Sequence, residues 1–563
     1  MIIFLEYLVF FTFCYFSGRS FFIILSNFNF TNISSETIFN IKISTFFPLY
    51  GLFFLGNIIV FFNFATPITQ NIKFVILLLL LLPNLNIINK IHFQKNNIFK
   101  TIVKFLISII LLFSFSDIGI SKDSYLYHIK NQLWILDEKV VFGITNLDPF
   151  LGYLPVSEYI HAFIFSLENY KYTHFFNLTV IISFTYILLE MYFSKSDFLI
   201  NSAFLITIFG ILDNFGFEGG RNGYFYFQEL GKVDGSAGVL FLLSILFILF
   251  LLQKKSDVVK QEIIAVSLFS IFSIQLRPSG YILFIFLTYL FFKLGKNSRS
   301  YFINLKLFFF FLLWHIKNLI TTSCVIYPVN ITCISNFEWH TKDLYSYLSK
   351  FIIAVYWNPQ IGLSTLGSFD WILDPWINLN RSYLLNFLFT FILIFLILKY
   401  KNYKQSKNKL LSLSAFILLL FWLLAFPQYR FTASIFIPAT LLFLNFELSR
   451  KNLIFNKLSK YKVLIFFLLI VNTALLVNKN SYINFVQSRQ ITESPVDSKS
   501  YLERMGGYGF SPSEVFCGAN KDCYYWDYVV VEKKIGNYVM FKLQNENYYT
   551  ILNNKNIKPS LRN

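Results

Sequence analysis

Long apolar stretches recur along almost the whole chain, and short polar loops separate them. A helix needs about 20 mostly apolar residues to cross the hydrocarbon core of a bilayer. Hydrophobic residues make up 56% of the 563 residues and charged residues only 14%, whereas a soluble domain has about 25% charged residues. A single globular core cannot absorb this many apolar residues, so the sequence predicts a polytopic membrane protein.

The predicted fold is all-α, with about 13–14 transmembrane helices. The predicted spans lie near residues 2–25, 47–66, 72–90, 99–116, 175–194, 197–215, 237–253, 261–276, 279–294, 302–322, 384–399, 410–427, 431–448 and 462–478. The apolar stretch 153–167 carries Glu158 and His161, and we interpret it as an interfacial helix with its charged groups toward water.

The positions of the lysines predict the orientation of the chain. The net charge of +18 comes largely from lysines and arginines in short loops such as 399–409, which is the positive-inside pattern of a membrane protein and not a nucleic-acid surface. These loops fall on one side of the predicted threading, which we assign to the cytoplasm. The opposite, extracytoplasmic face then holds residues 117–174, 216–236, 324–383 and 479–563.

This threading divides the chain into four parts. They are N-terminal transmembrane helices (1–116), a first external loop with interfacial helices (117–174), a transmembrane core (175–478) and a C-terminal extracytoplasmic domain (479–563). Strand-like runs at 528–531 and 538–541 predict a small β-containing appendage in the last part. Cys517 and Cys523 would form a disulfide there in an oxidising compartment, or stay unpaired.

The first external loop carries the candidate catalytic residue, Asp123, a few residues beyond a predicted span. A carboxylate at this boundary is suited to accept a proton from an acceptor hydroxyl as a general base. The alternative is an aspartate that caps the next helix. Tyr127 and His128 follow, and we interpret them as substrate-binding residues, His128 toward a phosphate or sugar hydroxyl. The alternatives for His128 are a hydrogen-bonded interfacial histidine and a histidine that takes part directly in the chemistry.

A second group of candidates consists of charged residues at predicted outer helix ends. Arg277 and Arg430 lie at such ends, and Lys232 and Asp234 lie in the external loop 216–236 just before a span. A lysine beside acidic groups there either holds a polyprenyl-phosphate headgroup or belongs to a solvated, self-neutralising loop. A basic residue near hydrocarbon implies an anionic partner, which is either a protein carboxylate or a lipid phosphate. With six histidines and five cysteines, the chain shows no zinc-type spacing, and no nucleotide fingerprint is present. We predict no cofactor and leave a divalent metal open.

The order of these features resembles the GT-C superfamily of integral-membrane glycosyltransferases. More closely, the sequences DSYLYH at 123–128, GITNL at 143–147 and LGY at 151–153 resemble the first loop of a family of large, poorly characterised bacterial polytopic membrane proteins. SCVIYP at 323–328, which contains Tyr327, and Glu338-Trp339 are similar to later motifs of that family. Cys324 stands where the family has Gly, and Glu338 stands where it has Asp.

The resemblance implies a glycosyltransferase of the bacterial inner membrane. It would move a sugar from a polyprenyl-phosphate donor to an extracytoplasmic lipid or glycan acceptor in cell-envelope assembly, with membrane lipids around it. Asp123 would be the base, Asp234 a second carboxylate in the donor site, and Tyr327 a substrate-binding residue. The alternatives are a transporter or flippase of lipid-linked saccharides and a structural or assembly protein.

Overall fold

The computed structural model describes residues 2–26, 37–84, 98–116, 118–119, 124–165, 170–214, 230–254, 258–294, 299, 304–341, 437–449, 462–477, 523–524, 530–543 and 560–561. Within these residues the molecule is mostly helical, with small antiparallel two-stranded sheets. The predictions of a mostly helical fold and of strands in the C-terminal tail are confirmed.

The described helices are α1 (Ile2–Ser26), α2 (Phe47–Ala65), α3 (Gln70–Leu81), α4 (Ile98–Leu112), α5 (Ile129–Asp137), α6 (Val156–Ile164), α7 (His174–Tyr192), α8 (Asp197–Asn214), α9 (Asp234–Gln253), α10 (Lys260–Leu276), α11 (Leu283–Lys293), α12 (Leu305–Thr322), α13 (Ile437–Ser449) and α14 (Lys462–Leu476). Most of the described helices follow the predicted spans, and α5 and α6 lie in the first external loop. The predicted spans 384–399 and 410–427 lie outside the described residues.

The strands pair into three small sheets. They are β1 (Thr37–Ile38) with β2 (Ile41–Lys42), β3 (Cys523–Tyr524) with β6 (Ser560–Leu561), and β4 (Val530–Ile535) with β5 (Tyr538–Leu543). The β4–β5 hairpin runs in register from Val530 opposite Leu543 to Ile535 opposite Tyr538. Gly536 occupies the tight turn with a φ of +60°, a conformation that glycine adopts without strain.

Six of the described helical segments are long and apolar enough to cross a membrane. They are Ile3–Leu25, Ile43–Ala65, Ile98–Ser116, Tyr170–Tyr192, Asp234–Gln253 and Leu305–Thr322. Shorter apolar helices cover Gln70–Asn84, Asp197–Leu212, Pro278–Lys293 and Phe466–Leu476. Each of these ten segments overlaps a predicted span, so the hydropathy pattern located the long helices correctly.

Two kinds of apolar helix differ in burial. The helices α7 and α9 are buried on nearly all sides, as expected for helices that are apolar all round. In α4, by contrast, Val103, Ile107 and Leu111 form a buried stripe at four-residue spacing, while Phe105 is 65% exposed. An apolar residue on the outer face of a peripheral helix is typical of a lipid-facing surface.

The first two helices approach each other closely through two glycines. A Cβ atom at Gly18 would lie within 1.8 Å of the Phe47 carbonyl oxygen, and one at Gly51 within 1.9 Å of the Cys14 carbonyl oxygen. Small residues at such crossings allow the backbones of membrane helices to pack directly. This contact anchors α2, on which the helices of the first external loop rest.

One end of the helix bundle, which we call the lysine end, carries lysines paired with two glutamates. Lys100 and Lys104 of α4 contact Glu190 near the end of α7 at 2.9 and 2.8 Å. Lys254 contacts Glu262 in the first turn of α10 at 2.7 Å. The lysine side chains are 21–26% exposed, so their ammonium groups reach the surface of the protein.

The opposite end, which we call the loop end, comprises residues 124–165, 230–234, 323–341 and 530–543. The hairpin docks here through its second strand. The backbone N–H of Phe142 donates to the Val539 carbonyl at 3.0 Å, and the N–H of Phe541 donates to the Phe142 carbonyl at 2.9 Å. Asn146 Nδ2 donates to the carbonyl oxygens of Phe541 and Trp339 at 2.9 and 3.0 Å. Tail and first loop therefore lie at the same end of the bundle.

The prediction that the charged groups of the 153–167 helix point to water is wrong. The helix α6 packs against α2 and α5, and Glu158 and His161 are both fully buried. They face inward because the carboxylate of Glu158 finds partners on α5 and in the turn before it. A buried charge is tolerated when it is paired and hydrogen-bonded.

Candidate functional site

The first wall of the candidate site is the chain that leads into α5. Residues Ser124–His128 form a single π-helical turn directly before α5. Such turns are rare and occur frequently at functional sites. Ser124 and His128 are both buried, and the Tyr127 ring stacks near the ring of Phe150 at 6.1 Å. Asp123, the candidate base, immediately precedes this turn but lies outside the described residues.

His128 belongs to a buried polar cluster. Its Nδ1 lies 2.5 Å from Glu158 Oε1, and Gln132 Nε2 donates to Glu158 Oε2 at 2.8 Å. His161 Nδ1 is 3.9 Å from the same Oε2 atom, which is beyond hydrogen-bonding distance. Burial alone would raise the pKa of Glu158, but the adjacent charge and hydrogen bond of His128, with His161 beyond it, lower that pKa to about 2. Glu158 is therefore a carboxylate at neutral pH.

The second wall is the segment that leads into α9. The Ser124 hydroxyl donates to the Leu230 carbonyl, and the Leu230 N–H donates to the Gly119 carbonyl at 2.8 Å. Gly231 has a φ of +89°, and a Cβ atom there would lie 2.2 Å from Ser124 Oγ and 3.1 Å from His128 Cδ2. Only glycine fits this conformation and this contact, so the two predicted external loops meet at Gly231.

The charged residues that follow Gly231 are held in place by side chains of α7 and by Arg277. Asp234 begins α9, is almost fully buried and forms an ion pair with Arg277. Of the two partners that the sequence left open for Arg277, the structure shows the protein carboxylate. The Lys232 carbonyl accepts from Asn177 Nδ2 at 2.8 Å, and Asn177 Oδ1 accepts from Ser236 at 2.6 Å. These bonds fix the backbone on both sides of Asp234.

Tyr327, another predicted binding residue, lies against a different part of the first loop. Its hydroxyl donates to the Pro149 carbonyl at 2.5 Å, and its ring packs on Gly152 and edge-on to Tyr153. The side chain is buried. The structure thus uses Tyr327 to hold the 149–153 turn, while Arg430 lies outside the described residues.

The described charges on the first loop also include Lys130 and Asp148. Lys130 on α5 is buried, and burial lowers its pKa while Asp148 counteracts this shift. Burial raises the pKa of Asp148, and this rise is partly offset because the charge of Lys130 and the hydrogen bond from the Phe150 N–H lower that pKa. Among the residues that the structure describes, no group of three or more His, Cys, Asp or Glu side chains is arranged to hold a metal ion.

Comparison with known proteins identifies a family. The sequence model described as "Domain of unknown function (DUF8201)" matches residues 1–437. The chain belongs to the DUF8201 family. No curated protein and no solved structure matches the chain significantly.

The DUF8201 match covers both walls of the candidate site but ends before the hairpin that docks on them. The hairpin contributes Phe541, which is buried against Trp134 and Leu151, and Lys533, which forms an exposed ion pair with Glu338 at 2.6 Å. This ion pair lowers the pKa of Glu338. The tail therefore supports the DUF8201 loop end from outside the matched region.

A disulfide pins the loop that follows α12 within the DUF8201 region. It joins Cys324 and Cys333, and the backbones of these residues also pair as a short antiparallel bridge. Cys324 is the residue that stood in place of the expected glycine. The Cys517–Cys523 pairing that the sequence left open involves Cys517, which lies outside the described residues.

Sequence reasoning did not select Glu158, Gln132 or Gly231 as site residues. Glu158 and His161 occupy positions i and i+3 of one helix and therefore share a face, which is a signal for a common buried partner. Gly231 carried no local signal, because its positive φ depends on the contact with Ser124. In this DUF8201 protein, the contacts that complete the site join His128 to Glu158, 30 positions apart, and Ser124 to Leu230, 106 positions apart.

Proposed function

We propose that the chain is a GT-C-type membrane glycosyltransferase that moves a sugar from a polyprenyl-phosphate donor to an extracytoplasmic acceptor in cell-surface glycan or glycolipid assembly. The observation that carries the proposal is the junction of the two external loops. The turn that follows Asp123 is bonded to the segment that leads to Asp234 and Arg277. The turn after the candidate base and the segment that carries Lys232 and Asp234 are thereby held together at one end of the apolar helices.

The proposal places the loop end outside the bacterial inner membrane and the lysine end in the cytoplasm. Three features support this placement. Six helical segments are long and apolar enough to span a bilayer. Lys100, Lys104 and Lys254 reach the surface at the other end, and the positive-inside rule expects such lysines next to spans on the cytoplasmic side. The Cys324–Cys333 disulfide lies at the loop end, and disulfides persist in oxidising compartments outside the cytoplasm.

In the proposed reaction Asp123 accepts the proton of the acceptor hydroxyl. The hydroxyl oxygen then attacks the anomeric carbon, the bond from that carbon to the phosphate oxygen breaks, and polyprenyl phosphate leaves with the electron pair. Direct displacement with inversion is the simplest course. Lys232, Arg277 and Arg430 stabilise the negative charge on the departing phosphate.

Arg277 is suited to this role although it already pairs with Asp234. A guanidinium has five donors in a planar fork, so a bond to one carboxylate is compatible with contact to a second anion. The Arg277 side chain is 33% exposed, which leaves part of it accessible. Asp234 in turn fixes the direction of the guanidinium at the start of α9.

The test of the proposal is transfer by the purified full chain. Labelled polyprenyl-phosphate sugars would be supplied with a lipid acceptor, and release of polyprenyl phosphate would be measured together with the glycosylated product. Asp123→Asn should reduce the transfer rate about 10²–10⁴-fold, because it removes a general base while keeping nearly the same shape. Asp197→Asn, at an exposed carboxylate at the start of α8, is the matched control and should transfer normally.

Two results would count against the proposal. Full activity of Asp123→Asn would assign Asp123 to helix capping. Movement of the donor between leaflets of a vesicle, without release of polyprenyl phosphate, would identify a flippase instead.

A further inference from the structure

Glu158 is a buried group at the loop end for which the proposed reaction has no role. It is fully buried, and its two carboxylate oxygens accept from different side chains, His128 Nδ1 at 2.5 Å and Gln132 Nε2 at 2.8 Å. Burying a carboxylate is unfavourable unless it is compensated in this way. An apolar residue would stabilise α6 more simply, so the arrangement calls for a role that involves its partners.

The hydrogen bond to Glu158 fixes which nitrogen of His128 carries a proton. A carboxylate only accepts hydrogen bonds, and His128 keeps the pKa of Glu158 at about 2, so Nδ1 is the donor. The second ring nitrogen, Nε2, has no hydrogen-bond partner among the described residues. In metal and acid–base sites alike, the bond at one nitrogen of a histidine sets what the other nitrogen can do.

The environment of the ring directs Nε2 toward the junction of the two loops. The carbon next to it, Cδ2, is the atom that a Cβ at Gly231 would approach to 3.1 Å. Nδ1 and Cδ2 lie on opposite sides of the imidazole, so Glu158 holds one side while the other faces the Gly231 segment. Lys232 is the next residue of that segment. Asp234, which pairs with Arg277, begins α9 two residues later.

We propose that Glu158 is a positioning residue that holds His128 so that its Nε2 binds the phosphate of the polyprenyl-phosphate donor. This inference rests on the proposed function and adds to it the group that recognises the phosphate. When both ring nitrogens are protonated, the imidazolium donates from Nδ1 to Glu158 and from Nε2 to the anion. Glu158 balances the positive charge of the ring, and both side chains are buried.

His161, the second histidine near Glu158, is not hydrogen-bonded to it. It approaches Glu158 from the same helix, but its Nδ1 lies 3.9 Å from Oε2, and neither of its ring nitrogens has a hydrogen-bond partner among the described residues. Its ring packs edge-on against Phe176 in the interior. Glu158 is thus flanked by two histidines, and only His128 is bonded to it and adjacent to the second loop.

Four variants of the full chain separate positioning from simple structural support. His128→Asn keeps an amide donor near the position of Nδ1 and removes Nε2. Glu158→Gln removes the charge and one of two accepting oxygens while keeping the shape. The double variant tests whether the two changes act through the same contact. Glu190→Gln is the matched control, because Glu190 is also a buried, doubly bonded glutamate but lies at the lysine end.

The probe is decaprenyl phosphate, with decaprenol as the uncharged comparison, and binding to the protein in detergent is measured by native mass spectrometry. We expect the wild type to prefer the phosphate. His128→Asn and Glu158→Gln should each weaken phosphate binding roughly 10- to 100-fold, the range for a hydrogen bond to a charged group. The double variant should be no weaker than the weaker single variant, and decaprenol binding should not change. Glu190→Gln should bind like the wild type even if it unfolds more easily.

Any of three results would overturn the inference. They are equal binding of decaprenyl phosphate and decaprenol by the wild type, unchanged phosphate binding in His128→Asn, and additive losses in the double variant. The His128→Asn result decides the matter even if Glu158→Gln does not fold. Because binding is measured without sugar transfer, a wild type that binds the phosphate selectively but transfers no sugar would contradict the proposed function and leave the phosphate site intact.

Discussion

The two ends of the molecule hold buried glutamates and aspartates in different ways. At the lysine end, Glu190 has two lysine partners, Lys100 and Lys104, whose long side chains carry the charge to the surface. At the loop end, Asp234 has the single ion-pair partner Arg277 among the described residues, and Glu158 relies on a buried imidazole. Glu190 thus has two lysine partners that reach the surface, whereas Asp234 and Glu158 each have one basic side chain within hydrogen-bonding distance among the described residues.

The ends also differ in what their contacts connect. At the lysine end, Lys100 and Lys104 contact Glu190 across 90 and 86 positions, and Lys254 contacts Glu262 across eight. At the loop end, Ser124 contacts Leu230 across 106 positions, and Asn146 contacts Phe541 across 395 positions. Contacts over such separations assemble a surface from distant segments. At the lysine end these contacts join helices, α4 with α7 and the end of α9 with α10, whereas at the loop end they join loops and the hairpin around the candidate site.

The largest expected difference between the ends is in the stability that is lost when one basic side chain is removed. Arg277→Ala leaves Asp234 buried without its partner, and breaking a buried pair in this way destabilises by about 3–5 kcal/mol. Lys100→Ala leaves Lys104 bonded to Glu190 and should cost only about 0.2–1 kcal/mol, as for a solvated pair. Thermal denaturation of both variants in the same detergent measures the difference.

Equal destabilisation by Arg277→Ala and Lys100→Ala would remove the contrast. Asp234→Asn combined with Arg277→Ala provides the internal control, because neutralising the orphaned carboxylate should recover much of the lost stability. Without such recovery, the effect of Arg277→Ala would come from packing and not from charge.

The helices were predictable because their signal is local. Hydropathy over about 20 residues reflects the cost of burying a helix in hydrocarbon, and no knowledge of neighbouring segments is needed. The predicted span 237–253 thus corresponds to α9, Asp234–Gln253. Even the tail strands carried a local pattern, and the turn glycine, Gly536, stands between them.

The site was predictable only in part, because it is formed by pairs of residues that are distant from each other in the sequence. Sequence reasoning selected His128, Asp234 and Arg277 individually because each is polar near a predicted span. It did not find that Asp234 pairs with Arg277, and it assigned Glu158 to the water-facing side of a helix. A charged residue in an amphipathic helix points to water unless a partner lies behind it. That partner, His128, is 30 residues away, and spacing along the chain does not reveal it.

A smaller effect concerns the glycine at which the two loops meet. Gly231→Ala requires an L-residue at a φ of +89° and forces Ser124 Oγ away from the Leu230 carbonyl, so we expect destabilisation of about 1–3 kcal/mol. Gly536→Ala is the matched control. It has a similar positive φ but open space around the added Cβ, and about 1 kcal/mol is expected from the backbone alone.

Adding Ser124→Ala to Gly231→Ala separates the two contributions. The double variant lacks the hydroxyl that the new methyl group would meet. Adding Gly231→Ala should therefore lower the free energy of unfolding less in the Ser124→Ala background than in the wild type. If the two glycine variants denature at the same temperature, contact between the loops does not require Gly231, and the junction would have to be held by the Ser124 and Leu230 bonds alone.

The smallest expected effect is at the edge of the loop end, where the hairpin meets Glu338. Lys533 and Glu338 are both about half exposed, and ion pairs of this kind contribute little because water screens them and the side chains lose conformational freedom. Lys533→Ala should therefore leave the hairpin docked and the melting temperature nearly unchanged, as should Lys534→Ala on the same strand. Docking depends instead on the buried Phe541 and the Asn146 amide. Protection of the hairpin from limited proteolysis measures this directly, and selective exposure of the hairpin in Lys533→Ala would show that docking at the loop end depends on this single exposed ion pair.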